Sequence, residues 1–393
     1  MTNNISKKTY KLFNIIPILK TKTKNNITRI LLFGFIPLFK IKTKNDESKI
    51  DLLSANVEKI IKNTGYEYKY DKLHNHNVFN NYDKKNIPTN SKKVPIFSNI
   101  DVTKINPFEF KKDVEVLKAN LSEKEKEKVD ILMERLKKIM KYQILNVFYQ
   151  PEDIYTEKEL EEKLDVMMCF NTVEKIDDYY QYQNYKFSSM PCYDFSALYY
   201  KYNIDNLKQK VDGAILDVGA YNGDSSLVFA DKFKDNKVYS FEVVEHFYDL
   251  LKKTIELNDF KNIIPLNIGI SDNEGEQEFS YEGHKNICKI TTIDNFAKQN
   301  NIKIGLIKTD IEGGEWALLQ GAIETIKRDK PVLKISIYHN YRDFFKIKPF
   351  IESLNCGYKF SFEDGSGYHI YGGRGNVSFC WPINEIILSC EVY

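Results

Sequence analysis

The chain has 393 residues, a net charge of +2 and 28% charged residues. That length exceeds one typical domain and points to two or three segments, and the balance is that of an ordinary soluble protein. The six cysteines, Cys169, Cys192, Cys288, Cys356, Cys380 and Cys390, show no C-x-x-C pair and no zinc spacing, which excludes a zinc ribbon and fits a reducing cytoplasm.

The overall charge hides an asymmetry. Residues 1–45 carry lysines and Arg29 with no acid, so the remainder is net acidic. Within them a stretch repeats at a 20-residue offset, Leu12–Phe–Asn–Ile–Ile–Pro17 through Asn25 against Leu32–Phe–Gly–Phe–Ile–Pro37 through Asn45. Two copies are too few for a solenoid. The apolar run Ile30 to Phe39 falls short of the roughly 20 residues that span a bilayer. Lysine clusters alternating with Phe, Ile and Leu suit an interfacial anchor or a docking peptide, the alternative being a mobile basic arm. No secretory leader is legible, because Met1–Thr–Asn–Asn lacks the charged-then-apolar layout.

Residues 46–150 read as a polar linker with helices. A short helix is expected from Lys49 to Tyr70, then an Asn-rich irregular stretch in which His74 and His76 have no further ligands nearby, so no metal site is assigned. Ser122–Glu–Lys–Glu125 is a capping box opening a helix with Val129, Leu132, Leu136 and Ile139 on one face. Residues 151–210 are tyrosine-rich and are expected to form a helical lead-in and partial lid, with the tyrosines either packed over the sheet edge or stacked on sugar rings.

From residue 211 the pattern changes to short apolar strands alternating with helices. Ala214–Ile–Leu–Asp217–Val reads as a buried strand running into Gly219–Ala–Tyr–Asn222–Gly223, a turn whose glycines let backbone N–H groups approach a ligand. The G-x-G-x-x-G of a dinucleotide site is absent. On this turn alone, a nucleotide site or a structural glycine turn stays open. A second strand, Lys237 to Phe241, ends on Glu242, placed about 20 residues past the turn to accept both ribose hydroxyls, or else to sit as an acid at a helix N-terminus. A third strand covers Ile263 to Ile268, and Asp272 follows in a turn. A fourth, Ile304 to Ile307, runs into Lys308–Thr–Asp310–Ile–Glu312–Gly–Gly–Glu315. A fifth, from Pro331, ends at His339, and Gly357 to Phe362 with Ile386 to Val392 form a closing antiparallel pair. Between these two, the glycine-rich stretch with Arg374 reads as a flexible loop.

The motifs Asp217–Val–Gly–Ala–Tyr–Asn–Gly223, Phe241–Glu242, Gly269–Ile–Ser–Asp272, Thr292–Ile–Asp294 and Lys308–Thr–Asp–Ile–Glu–Gly–Gly–Glu315 resemble the FkbM family of methyltransferases over about residues 211–340. Val243 departs from the proline usual there. The resemblance implies an α/β fold, a Rossmann-like class I methyltransferase core over 211–393 with a mostly parallel seven-stranded sheet and an antiparallel last strand. It implies S-adenosylmethionine as cofactor, with Gly219, Ala220, Asn222 and Gly223 under its methionine part. Asp217 would fix the loop or the ammonium group, Glu242 bind the ribose and Asp272 the adenine amino group. The basic repeat also resembles the start of some bacterial surface-polysaccharide enzymes.

These residues lead to an expectation of O-methylation of a sugar hydroxyl, on a glycan or another small-molecule acceptor, in the cytoplasm or at the inner membrane face. A hydroxyl is a poor nucleophile, so a base should stand near it. Asp310 or His339 is the expected base, with Lys308 setting the charge of the site and Glu312 catalytic or a helix cap. A divalent ion on Asp310 and Glu312 ranks second, for want of a third ligand. A non-catalytic scaffold is countered by the intact cofactor set, and nucleic acid by the acidic core and the missing base-flipping motif.

Overall fold

The computed structural model describes residues 6–12, 16–24, 27–32, 36–42, 107–145, 155–156, 158–159, 172–191, 196–281, 283–364, 371–373, 376–378 and 385–393. The expected helix over 49–70, the Asn-rich stretch after it, His74, His76, Arg374, Cys169, Cys192 and Cys380 lie outside the described residues. The chain divides into two compact units: Met1–Ser91, Tyr155–Glu174 and Ile370–Ser378 in the first, Lys92–Ile154, Lys175–His369 and Phe379–Tyr393 in the second.

In the first unit each copy of the repeat is a β-hairpin. β1 (Ser6–Leu12) pairs with β2 (Ile16–Lys24), β3 (Ile27–Leu32) pairs with β4 (Ile36–Lys42), and β2 pairs with β3, all antiparallel. The copies share a register slip, between Tyr10 and Lys11 in one and Ile30 and Leu31 in the other, beside Pro17 and Pro37. Proline cannot donate to a ladder, so a slip at that point is what its chemistry favours.

The second unit opens with α1 (Pro107–Lys118) and α2 (Glu123–Leu145). Ser122 Oγ caps α2 through the Glu125 amide, 3.4 Å away. Glu125 itself departs from the capping-box expectation, because its Oε2 accepts the Phe362 amide at 2.7 Å. Val129, Leu132 and Leu136 are buried, as their spacing predicts.

Among the described residues, the tyrosine-rich stretch differs from its helical expectation over 174–187. There it is a three-stranded sheet of β5 (Glu174–Ile176), β6 (Tyr179–Tyr182) and β7 (Tyr185–Phe187), followed by a short α3 (Ser196–Tyr199) and a 3-10 helix over Lys201–Asn206. Two-residue polar turns, with Asp177 at φ 49° and Gln183 at φ 53°, join the strands and override helix propensity. Tyr182, Tyr185 and Phe187 are buried, and Tyr185 donates to Asp231 at 2.9 Å, so these rings pack rather than face solvent.

The core then follows as β8 (Ala214–Val218), α4 (Asp224–Lys232), β9 (Val238–Phe241), α5 (Glu245–Glu256) and β10 (Ile263–Leu266). An excursion of β11 (Gly269–Ile270), β12 (Gly275–Tyr281) and β13 (His284–Thr291), which the sequence reading missed, forms its own three-stranded sheet. After α6 (Ile293–Gln299) come β14 (Ile304–Thr309), α7 (Glu315–Gln320), α8 (Ile323–Asp329), β15 (Val332–Ser336), α9 (Tyr341–Ser353) and β16 (Lys359–Asp364). In the first unit, β17 (Tyr371–Gly373) and β18 (Asn376–Ser378) pair where a loop was expected. β19 (Ile386–Glu391) closes the sheet.

The seven-stranded order is β10-β9-β8-β14-β15-β19-β16, with only β19 antiparallel to its neighbours. This is the class I methyltransferase arrangement expected from the sequence. Every residue of β8, β9, β14 and β15 is buried, as for parallel strands covered on both faces. The chain reverses direction across the sheet between β8 and β14, and the crevice at their C-terminal ends is where open α/β sheets bind ligands. Among the described residues, no helix is long and apolar enough to cross a membrane.

Candidate active site

The glycine loop after β8 is held from below. Asp217 is fully buried, and its Oδ2 accepts from Ser225 Oγ at 2.8 Å and Ser226 Oγ at 2.6 Å. Its Oδ1 lies 3.1 Å from Lys308 Nζ, which also donates to the Gly219 carbonyl at 2.7 Å. Asp217 therefore fixes the loop, and its carboxylate is spent inside the protein. Lys308, expected to set the charge of the site, is a positioning residue in the structure: at 2% exposure it underpins the loop. Burial pushes its ammonium pKa down, but the charges of Asp217 and Asp310 outweigh this and hold it above the ordinary value. The Tyr202 ring lies 5.6 Å from the same ammonium.

Gly219 has φ +80°, and a Cβ there would stand 1.9 Å from the Asp310 carbonyl oxygen. The loop after β8 and the end of β14 thus touch through a position that only glycine fits. The Gly219 and Ala220 amides donate to Phe241 O, which ties the loop to the tip of β9. The Asn222 side chain does not face a ligand, since it is buried and donates to Ser189 Oγ and Met190 O at 3.0 and 3.1 Å. Asn222 clamps the segment after β7 onto the loop.

At the tip of β9, Glu242 is the buried acid the sequence placed there. Its Oε2 accepts from the Tyr221 amide at 2.9 Å and its Oε1 from the Val244 amide at 2.8 Å. Burial pushes its carboxyl up to about 7 against the pull of these amides. A nearly sealed carboxylate beside a tight glycine loop, on adjacent strand ends, fits a ribose diol with the rest of the cofactor lying along the loop. Asp272 is exposed in the turn after β11, beside Ser271. The Thr292–Ile–Asp294 motif is architectural: Thr292 Oγ1 caps α6 through the Asn295 amide, and Asp294 accepts the Glu324 and Thr325 amides at the start of α8.

Beyond β14 the acids gather around one imidazole. His339, 1% exposed, puts Nδ1 at 3.1 Å from Glu315 Oε1 and Nε2 at 3.3 Å from Asp310 Oδ1 and 3.7 Å from Glu312 Oε2. Burial pushes the His339 pKa down, but the Glu315, Asp310 and Glu312 carboxylates raise it to about 9, so it is an imidazolium at neutral pH. Glu315 also accepts the Ile311 and Gly313 amides at 2.8 and 3.0 Å, which holds the loop through Glu312 (φ 56°) and Gly313 (φ 101°). Tyr338 donates to Asp310 Oδ1 at 3.1 Å. Asp310 is the partly exposed member of this group, and Glu312 is half-exposed with its pKa raised by burial.

Sequence reasoning gave Glu315 no role at the site and did not find Tyr338, Tyr221 or the hairpin tip. The Tyr221 ring lies 4.5 Å from Phe247, and Tyr281 at the tip of β12 lies 5.9 Å from Phe247 and donates to Glu312. His284 stacks on His246 at 4.1 Å. Tyr281 thus links this ring cluster to Glu312. Two aromatic tips on either side of a hairpin turn, Tyr281 and His284, were the available signal.

Sequence alone would have Gly219→Val abolish cofactor binding with the fold intact. The 1.9 Å approach to Asp310 alters that expectation. The variant should lose binding and also about 1–3 kcal/mol of stability, read as a lower urea midpoint. Separately, S-adenosylmethionine affinity measured by calorimetry should rise as pH increases through about 7, where Glu242 ionises. Glu242→Gln should flatten that rise and weaken binding by about 1–3 kcal/mol.

The methyltransferase FkbM domain model matches residues 217–360, which span the glycine loop, Glu242, the acid cluster and His339. No curated protein matches the sequence. Among solved structures, the chain is similar to the methyltransferase FkbM from Methylobacillus flagellatus KT at 19% identity and TM-score 0.36, covering 60% of this chain and 55% of that one. The chain therefore spans about half the length of that relative. It is also similar to an S-adenosylmethionine-dependent O-methyltransferase from Thermotoga maritima (11% identity, 49% and 64% coverage, TM-score 0.30). A third is the M. jannaschii TYW2 in complex with AdoMet (12% identity, 56% and 86% coverage, TM-score 0.30). With its sheet order and its glycine loop, the stretch 217–360 matches the methyltransferase FkbM domain.

Proposed function

We propose that the enzyme is an O-methyltransferase acting on a hydroxyl of a glycan or glycan precursor, at the cytoplasmic side of the cell. The observation that carries this reading is Asp310: a partly exposed carboxylate at the tip of β14, against the glycine loop, held at Oδ1 by Tyr338 and facing His339 Nε2. A hydroxyl gives up its proton reluctantly, so a fixed carboxylate beside it is the group this chemistry needs. S-adenosylmethionine, when bound, supplies the electrophilic methyl carbon.

Of the two bases expected from the sequence, Asp310 is favoured. His339 is sealed and protonated at neutral pH, which suits it to hold Asp310 oriented rather than to take a proton. Glu315, locked on Nδ1, fixes the imidazole in turn. Glu312 and the exposed ring of Tyr281 offer a sugar both an acceptor for its hydroxyls and an apolar face for its C–H bonds.

A second reading gains a ligand that sequence reasoning lacked. His339 could join Asp310 and Glu315, whose ligand atoms all lie within 4.8 Å of one another, around a divalent ion that binds the acceptor oxygen. The two readings separate in a single-turnover assay with labelled S-adenosylmethionine and a crude glycan or glycolipid extract. A base predicts that Asp310→Asn slows transfer about 10²- to 10⁴-fold with cofactor affinity nearly unchanged and no effect of chelator. Loss of activity in chelator with recovery in magnesium or manganese would favour the metal. Unaltered transfer in Asp310→Asn and in chelator would refute both.

A further inference from the structure

The strand pairing of the first unit turns a basic sequence into a two-faced sheet. Lys7 is directly opposite Lys22, Lys22 opposite Arg29, and Arg29 opposite Lys40, so one row of cations crosses all four strands. Two residues along from this row, and hence on the same face, fall Lys20, Lys24 and Lys42, with Leu31 and Ile27 among them. The other face takes the intervening positions and is mainly apolar, with one cation: Lys8 is opposite Thr21, Thr21 opposite Ile30 and Ile30 opposite Phe39, with Tyr10, Leu19 and Leu32 in the next row. The shared register slip keeps this division in both copies of the repeat.

Such a row is unfavourable by itself, since like charges directly opposite on neighbouring strands repel. No acid in residues 1–45 offsets it. A sheet that concentrates cations in this way calls for an anionic partner. We propose that the cationic and apolar faces of β1–β4 together form a docking surface for the interface of an anionic phospholipid bilayer. A soluble polyanion would account for the cationic face and leave the apolar one unexplained. At an interface the apolar face sinks about 5–10 Å toward the acyl boundary, which brings the sheet and its cations to the level of the headgroup phosphates. Both faces are then used at once, with no membrane-spanning element. The inference is independent of the methyl acceptor.

The test uses the full chain with vesicles of phosphatidylcholine mixed with phosphatidylglycerol, vesicles of phosphatidylcholine alone, and soluble polyphosphate. Co-sedimentation should occur with the anionic vesicles, weaken in salt and fall away with the neutral ones. Lys22→Gln with Arg29→Gln should weaken vesicle binding about 30-fold. Ile30→Ser with Phe39→Ser should weaken vesicle binding while leaving polyphosphate binding in place. S-adenosylmethionine affinity should stay unchanged in every variant, which shows the second unit to be intact. Equal vesicle binding by the parent and the Lys22/Arg29 variant would overturn the proposal, as would no vesicle binding at all. Vesicle binding indifferent to the Ile30/Phe39 change would overturn it in favour of a soluble polyanion.

Discussion

The active site hangs on one buried ion pair. Lys308 on β14 and Asp217 on β8 face each other across the point where the sheet reverses, 3.1 Å apart and both out of water. Taking two charges out of water is costly, and the pair is tolerated because its remaining polar atoms are used. Ser225 and Ser226 satisfy the carboxylate, and the Gly219 carbonyl takes a proton of the ammonium. The arrangement yields position more than stability. It fixes the glycine loop against the end of β14, so that the cofactor loop and the Asp310 carboxylate are set by the same contact.

A second layer of the site follows the same logic. Glu315 is fully buried and spends its oxygens on the Ile311 and Gly313 amides and on His339. His339 answers with a charge that compensates three carboxylates. Asp343, behind this group, has its carboxyl pushed up to about 7 by burial and then by the Glu315 charge, which marks how crowded with negative charge the pocket is. Glu312 and Asp310, the members open to solvent, are thus presented by groups that are not.

The alternation of apolar strands with helices, the Gly219–Gly223 turn and the acid at Glu242 were legible because each is local: a few adjacent residues determine them. The sheet order followed from that alternation and from the family resemblance. What was misread depended on partners distant in sequence. Lys308 stands in a run of acids, and its pairing with Asp217, on another strand, appears only in the fold. Asn222 looks like a loop ligand until the segment at Ser189 and Met190 is brought against it. The tyrosine-rich stretch was read by composition, and its two-residue turns at Asp177 and Gln183 decided for strands. The repeat was legible as a repeat, but its two faces appear only when strand register sets residues twenty positions apart on one side.

The central claim is that Lys308 and Asp217 act as one unit to set the cofactor loop, and a double-mutant cycle on S-adenosylmethionine affinity tests it most directly. Lys308→Met and Asp217→Leu should each leave a buried charge without its partner and weaken binding at least about tenfold. The double variant, which removes both charges, should bind no worse than either single one, a strongly non-additive result. Losses that simply add, or single variants that bind as the parent does, would contradict the account.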